Sequence, residues 1–131
     1  MISIVIVSHS SKVAEGVKEL AEQVSQKRIN VYAAGGVDDQ TIGTNVERIY
    51  TALLQALSED GVLVLLDLGS AILSAQMALE MLPNGKQHYV KLCEAPLVEG
   101  AIMASVEASL GRDIEKVKAA AEAANSMRKL P

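Results

Sequence analysis

The fold of this chain is decided by the stretch Gly61-Val62-Leu63-Val64-Leu65-Leu66-Asp67-Leu68-Gly69-Ser70-Ala71. Five consecutive Val and Leu residues are typical of a strand that is covered on both faces, as in a parallel sheet. The polar and glycine residues that follow mark a turn into a helix. The segment therefore predicts a strand, a loop and a helix at the centre of an α/β domain.

Three further apolar runs extend this pattern along the chain, and they lie at Ile2–Val7, Ile29–Ala34 and Tyr89–Cys93. Each alternates with a longer stretch of helical period, which predicts βαβ units and a parallel sheet. Ile2–Val7 and Val62–Leu66 are nearly unbroken and belong in the sheet centre. With right-handed crossovers, we expect an open parallel four-stranded sheet of order 2-1-3-4, with helices on both faces.

Five helices are predicted between and after these strands. The first has an apolar stripe that should face the sheet, made of Val13, Val17, Leu20, Ala21 and Val24. The second starts at a capping box formed by Thr44 and Glu47, and its apolar positions are Val46, Ile49, Tyr50, Leu53, Leu54 and Leu57.

The remaining three helices are bounded by glycine, proline and cap residues. The third should run from Gly69 to Leu82, and the fourth from Pro96 to near Gly111. A C-terminal helix should follow from Asp113, its N-cap, to about Met127. Its apolar edge is thin and consists of Ile114, Val117 and Ala121.

Composition excludes several classes of function. The 131 residues predict one domain spanning 1–131. A net charge of −4 offers no basic surface for nucleic acid, and a chain without Trp or Phe lacks the rings on which bases stack. A single cysteine, Cys93, and an N-terminus that reads as a strand indicate a cytoplasmic protein rather than a secreted or membrane one.

Two loops should meet where the strand order reverses, since ligands of such sheets bind there, beyond the carboxyl ends of the strands. One loop carries His9 and the other carries Asp67. A carboxylate that holds one imidazole nitrogen fixes the tautomer and leaves the other nitrogen as a nucleophile. The start of the third helix favours an incoming phosphoryl group, and the predicted phosphoryl-binding residues are Ser10, Ser11, Gly69 and Ser70.

Structural explanations compete with this hypothesis. His9 could be a solvated loop residue and Asp67 a helix cap, while Ser8, Ser10 and Ser11 are equally candidates for the N-cap of the first helix. The glycine-rich loop 35–43 could contact a partner or turn the chain. His88 and Cys93 are expected to be structural, the cysteine as a small apolar filler. No metal site, cofactor or nucleotide-binding loop is predicted.

Three motifs, Ile4–Ser11, Gly61–Ala71 and Ala95–Gly100, occur in order and with family spacing. They resemble the phosphotransferase subunits of bacterial dihydroxyacetone kinases, the DhaM family, within the wider mannose-type enzyme IIA family. The resemblance extends to about Lys116. It implies that His9 is phosphorylated by the phosphohistidine of HPr, in the phosphoenolpyruvate-dependent phosphotransferase system, and that Asp67 orients it.

The same resemblance implies the partners. The acceptor is ADP held by the nucleotide-binding subunit DhaL, which then phosphorylates dihydroxyacetone bound to DhaK. Some relatives carry fused HPr-like domains, which 131 residues cannot hold, so the donor is expected to be a separate protein. A homodimer is expected, formed by surface packing and at the fourth-strand edge, because the helical tail lacks the strand that mannose-type relatives exchange.

Two other functions remain open at this point. One is a receiver-like domain phosphorylated on Asp67, although the first strand is followed by Ser-His-Ser rather than by the acidic pair that holds Mg²⁺. The other is a mannose-type sugar-transporter component, which would associate with membrane permease subunits.

Overall fold

The computed structural model describes all residues from Met1 to Pro131. Four strands form one sheet: β1 (Ser3–Ser8), β2 (Val31–Gly35), β3 (Val62–Leu66) and β4 (Val90–Cys93). Five α-helices connect and follow them: α1 (Ser11–Ser25), α2 (Val46–Ala56), α3 (Ala71–Glu80), α4 (Leu97–Ser109) and α5 (Ile114–Ala123). Short 3₁₀ turns lie at Gln87–Tyr89 and Ala124–Ser126.

The sheet confirms the predicted class and order. Its strands are all parallel and are arranged β2-β1-β3-β4. Every residue of β1 and β3 is buried, because these two central strands are covered by helices on both faces. The predicted strand limits agree with the observed ones to within two residues, and those of β3 agree at both ends.

Alternation along the central strands divides the core in two. Ile4, Ile6, Leu63 and Leu65 face α1, α4 and α5. Val5, Val7, Val64 and Leu66 face α2 and α3. Because successive side chains of a strand point to opposite faces, each central strand supplies apolar residues to both layers and fixes which helices lie on which side.

The predicted sheet-facing stripe of α1 is partly wrong. Val17 and Ala21 are buried as expected, but the other buried apolar residue is Ala14, and Val13, Leu20 and Val24 are 45%, 46% and 38% exposed. The physical reason is close packing of α1 on β2, where a Cβ on Gly35 would lie 2.7 Å from the Ala14 Cβ. Small residues therefore face the sheet, and the larger ones are displaced outward.

The start of α2 also differs from the prediction. The N-cap is Asn45, whose side chain accepts hydrogen bonds from the backbone N–H groups of Glu47 and Arg48. Thr44 instead shares a 2.6 Å hydroxyl hydrogen bond with Ser74 of α3. The predicted capping box of Thr44 and Glu47 is thus wrong, because asparagine at the next position is an equally strong cap and leaves the threonine free to join two elements.

The predicted ends of α5 and α3 are confirmed only in part. Asp113 caps α5 by accepting from the Lys116 N–H, and Val117 and Ala121 are fully buried. Regular α-helix ends at Ala123 rather than near Met127, since the following residues form a 3₁₀ turn. Similarly, α3 begins at Ala71 and not at Gly69, which leaves Leu68, Gly69 and Ser70 as a separate turn after β3.

Candidate functional site

His9 and Asp67 lie next to each other at the carboxyl edge of the sheet. Each follows a central strand, and the register pairs Val7 with Leu66 at the ends of those strands. The Asp67 N–H continues this pairing with a 3.1 Å hydrogen bond to the Val7 carbonyl. Two residues 58 positions apart are thereby placed side by side by strand pairing alone.

The Asp67 carboxylate accepts four hydrogen bonds. Oδ1 accepts from the His9 ring at Nδ1, 3.0 Å away, and from the Leu68 N–H at 2.8 Å. Oδ2 accepts from the Ser8 hydroxyl and from the His9 N–H, each at 2.9 Å. All four lone-pair positions of the carboxylate are therefore used, and its orientation is held from both sides.

The state of the His9 ring follows from these contacts. An ionised carboxylate only accepts hydrogen bonds, so in the neutral imidazole the ring proton lies on Nδ1 and the lone pair on Nε2. The Ser70 hydroxyl, 2.9 Å from Nε2, then donates to that lone pair. The imidazole side chain is 23% exposed and that of Asp67 17% exposed, so Nε2 is the reactive atom at the rim of a largely shielded pair.

Electrostatics favour the charged form of Asp67. Burial by itself would raise the pKa of this carboxyl, but the hydrogen bonds from the His9 N–H, the His9 ring and the Ser8 hydroxyl lower the pKa below its ordinary value of 3.8. The carboxylate is thus ionised throughout the neutral range. An ionised partner is what keeps the ring proton on Nδ1.

The three serines around His9 have different tasks. Ser10 is the N-cap of α1, where its hydroxyl accepts from the Val13 N–H at 3.2 Å. Ser11 is the first residue of the helix and lines a polar hollow with the acidic loop residues Asp38 and Asp39. Ser8 is not a cap but contacts Asp67, a role that the sequence alone did not reveal, since a serine that ends a strand gives no signal of its partner.

The turn from Leu68 to Ser70 offers unpaired donors beside the ring. The backbone N–H groups of Gly69 and Ser70 donate no hydrogen bond within the chain, and both residues are exposed. The turn leads directly into α3, whose first-turn N–H groups carry partial positive charge. Of the four predicted phosphoryl-binding residues, the structure brings Ser70 into contact with the ring, and Gly69 precedes it in the same turn.

The glycine-rich loop 35–43 packs against the His9 loop. The Gly36 N–H donates to the Ser8 carbonyl at 3.1 Å, and the Gly43 N–H donates to the His9 carbonyl at 2.8 Å. Gly36 has a φ of +75°, a left-handed conformation that favours glycine. This loop therefore supports the backbone on which His9 is mounted.

Two other reactive side chains form no hydrogen bond with this pair, although Cys93 lines a cavity with Asp67. His88 lies in the 3₁₀ turn before β4, and the centroid of its ring is 4.0 Å from that of the Tyr89 ring. Cys93 is buried, and burial together with the Glu122 charge raises the pKa of its thiol to about 11. A thiol with this pKa is protonated at neutral pH and is no nucleophile.

No three His, Cys, Asp or Glu side chains are grouped as metal ligands would be. None of the helices combines the length and the apolar character that crossing a bilayer requires.

The comparisons with known proteins agree with the fold and identify a family. Residues 3–118 match the model of the EIIA-man family, described as the PTS system fructose IIA component, and the chain belongs to this family.

Within that family, the chain belongs with the DhaM subunits. The PEP-dependent dihydroxyacetone kinase 2 phosphoryl donor subunit DhaM of Listeria innocua is 36% identical over 117 residues, covering 89% of this chain and 94% of that protein. The corresponding DhaM of Escherichia coli (strain K12) is 46% identical over 120 residues, covering 89% of this chain. The chain spans only 25% of the length of that larger relative.

Solved structures show the same fold. A crystallised protein of unknown function, 30% identical in sequence, superposes with a TM-score of 0.79 and covers 98% of both chains. A sigma-54 interaction domain protein from Enterococcus faecalis superposes with a TM-score of 0.70 at 18% identity, covering 95% of this chain and 90% of its own. The second likeness concerns the fold alone.

Proposed function

We propose that this chain is a phosphohistidine carrier, which accepts a phosphoryl group on His9 Nε2 and passes it on for dihydroxyacetone phosphorylation. The observation that carries the proposal is the 3.0 Å contact between His9 Nδ1 and an ionised, fully hydrogen-bonded Asp67. It leaves the Nε2 lone pair as nucleophile at the open edge of the sheet. The printed names of the relatives, phosphoryl donor subunits, support the same reaction class.

The transfer step uses the tautomer described above. The Nε2 lone pair attacks phosphorus, a new N–P bond forms, and the donor's P–N bond breaks with its electron pair returning to the donor imidazole. The phosphorylated His9 ring keeps its Nδ1 proton and so carries a positive charge. Asp67, 3.0 Å away, offsets that charge as it develops, which is the electrostatic stabilisation that such a transfer needs.

The incoming phosphoryl oxygens find donors in the turn before α3. The Ser70 hydroxyl releases Nε2 and donates to a phosphoryl oxygen instead, and the N–H groups of Gly69 and Ser70 are available as further donors. We assign Ser10 and Ser11 to the other side of the ring, at the first turn of α1. Neutral hydrogen-bond donors and the N-terminal ends of helices would then hold the phosphoryl group in place, without a bound metal ion.

The family resemblance supports a proposal for the donor and the acceptor. We propose that HPr supplies the phosphoryl group from its own phosphohistidine, and that the acceptor is ADP held by a DhaL-type subunit, which then phosphorylates dihydroxyacetone bound to DhaK. The chain has no Walker or G-x-G-x-x-G loop of its own, which fits an acceptor nucleotide held elsewhere. We place the reaction in the cytoplasm, where phosphoenolpyruvate-linked carriers and a reduced, unpaired Cys93 belong.

We further propose that the chain forms a homodimer at the β4 edge. β4 pairs only with β3 and leaves its other edge open. α3 packs on the face of the sheet that holds Val90 of β4, and it exposes Leu73, Met77 and Met81, three large apolar side chains spaced four residues apart. An open strand edge can pair with a strand of another chain, and an exposed apolar helix face favours association, so both features support contact with a second copy.

Labelling tests the proposed function directly. The chain is incubated with radiolabelled phosphoenolpyruvate, enzyme I and HPr, and the modified residue is mapped by mass spectrometry. We expect one phosphoryl group on His9, labile in acid and stable in alkali, and no label on His9→Ala. His88→Ala is the matched control and should label normally. Normal labelling of His9→Ala, or an alkali-labile group on Asp67, would overturn the proposal.

A further inference from the structure

Ser8 is the most buried polar side chain near the site. It ends β1, is 1% exposed, and its hydroxyl makes two hydrogen bonds. The hydroxyl donates to Asp67 Oδ2 at 2.9 Å and accepts from the Ser10 N–H at 3.0 Å. Because the Ser10 N–H occupies the acceptor side, the hydroxyl proton is directed at the carboxylate.

This hydroxyl fixes the plane of the carboxylate. Oδ2 is held by Ser8 and the His9 N–H, both of which belong to the β1 end, while Oδ1 faces the His9 ring and the Leu68 N–H. A carboxylate held at one oxygen by two donors cannot turn without losing both. Oδ1 is therefore kept in the direction of Nδ1.

We propose that Ser8 is a positioning residue, which holds Asp67 so that the His9 proton stays on Nδ1 and Nε2 stays the nucleophile. Ser8 touches neither the ring nor the transferred group and acts only through Asp67. The effect on phosphoryl transfer rests on the proposed function, whereas the effect on the ring tautomer does not.

A purely structural role makes different predictions. If Ser8 served only to satisfy the Ser10 N–H, its removal would lower the stability of the fold and leave the ring unchanged. Any effect on phosphoryl transfer would then act through the fold and not through Asp67, so it would persist in an Asp67→Asn background. Two measurements separate the two roles.

The first measurement is ¹⁵N NMR of the His9 ring in the unphosphorylated chain. The wild type should show protonated Nδ1 and unprotonated Nε2, and Ser8→Ala should shift the ring toward a mixture of tautomers. Ser8→Thr keeps the hydroxyl and should retain the wild-type pattern. Ser25→Ala removes another 1% exposed serine hydroxyl, bonded only to the Glu22 carbonyl, and is the matched control.

The second measurement is the rate of labelling by phospho-HPr. We expect Ser8→Ala to lower it by about tenfold to a hundredfold, the loss seen when outer partners of metal-bound histidines are removed, and Ser25→Ala to leave it within about twofold. In an Asp67→Asn background the same Ser8→Ala change should cost less than about twofold, since its route to the ring is already gone.

The outcomes are decisive in each case. A wild-type ring spectrum for Ser8→Ala, or a full additional loss in the Asp67→Asn background, overturns the inference. Should Ser8→Ala not fold, Ser8→Cys keeps the size and weakens the donor, and the same ring shift is expected of it. Should the wild-type chain not be labelled at all, the proposed function fails, and the ring spectra still decide the role of Ser8.

Discussion

Replacing Asp67 with asparagine removes one charge and puts an NH₂ group where an oxygen stood. Each carboxylate oxygen accepts two hydrogen bonds, so the NH₂ group meets two donors in either orientation. If the NH₂ group takes the Oδ1 position, it faces the Leu68 N–H, which is also a donor and so loses its acceptor. The NH₂ group also donates to Nδ1, which forces the ring proton onto Nε2. At the Oδ2 position it opposes the His9 N–H. One orientation destroys the nucleophile, and both leave a backbone donor unpaired.

The magnitude follows from the 3.0 Å separation of Nδ1 and Oδ1. At an effective dielectric constant of about 20, two unit charges at that distance interact by about 5 kcal/mol. If water at this partly exposed pair screens half of that, Asp67→Asn slows phosphoryl transfer about a hundredfold. The unpaired N–H group lowers the free energy of unfolding by about 1–3 kcal/mol.

The assay combines rapid-quench labelling by phospho-HPr with urea unfolding. Asp113→Asn is the matched control, because it makes the same chemical change at the exposed cap of α5, and it should leave the transfer rate unchanged. An Asp67→Asn variant that transfers within about threefold of the wild type, with the ring proton still on Nδ1, would refute the reasoning.

The effect of Asp67→Asn on stability should depend on pH. The pKa of Asp67 is lower in the folded chain than its ordinary value of 3.8. Its contribution to stability is therefore fully present above that ordinary value and is lost as the pH falls through the folded pKa. As the pH is lowered, the difference in unfolding free energy between wild type and Asp67→Asn should shrink only below about pH 4. A difference that shrinks already near pH 6 would contradict this.

Two further predictions concern the packing of α1 against β2 and the reactivity of Cys93. Gly35→Ala places a Cβ 2.4 Å from the Ser10 carbonyl oxygen and 2.7 Å from the Ala14 Cβ. We therefore expect thermal unfolding to show that the free energy of unfolding falls by about 1–3 kcal/mol. Gly16→Ala is the control, because its Cβ meets nothing within 4 Å, and it should not lower the free energy of unfolding. Cys93 should react slowly with iodoacetamide in the folded chain at pH 8, because burial raises the pKa of its thiol to about 11, and rapid alkylation followed by mass spectrometry would show that the β4 end opens.

The architecture was predictable because it depends on local patterns. Apolar runs of five or six residues, separated by helical stretches, predict four parallel strands. Their order follows from placing the two least interrupted runs in the centre and from right-handed crossovers. The pairing of His9 with Asp67 was predictable for the same reason, since both follow strands that meet at the switch point. The buried face of α1 was not predictable from the sequence. Whether Val13 or Ala14 faces the sheet depends on how closely the helix approaches Gly35.

By itself, the sequence determined that this is an α/β chain with a histidine and an aspartate at one edge of its sheet, because strand propensity and chain order are properties of the linear pattern. Only the tertiary structure decided the partners of each oxygen and hydroxyl. Ser8, Ser10 and Ser70 are chemically alike in the sequence, yet one binds the carboxylate, one caps a helix and one contacts Nε2. Hydrogen bonds act over about 3 Å, and distances of that scale are set by packing between segments far apart in the chain.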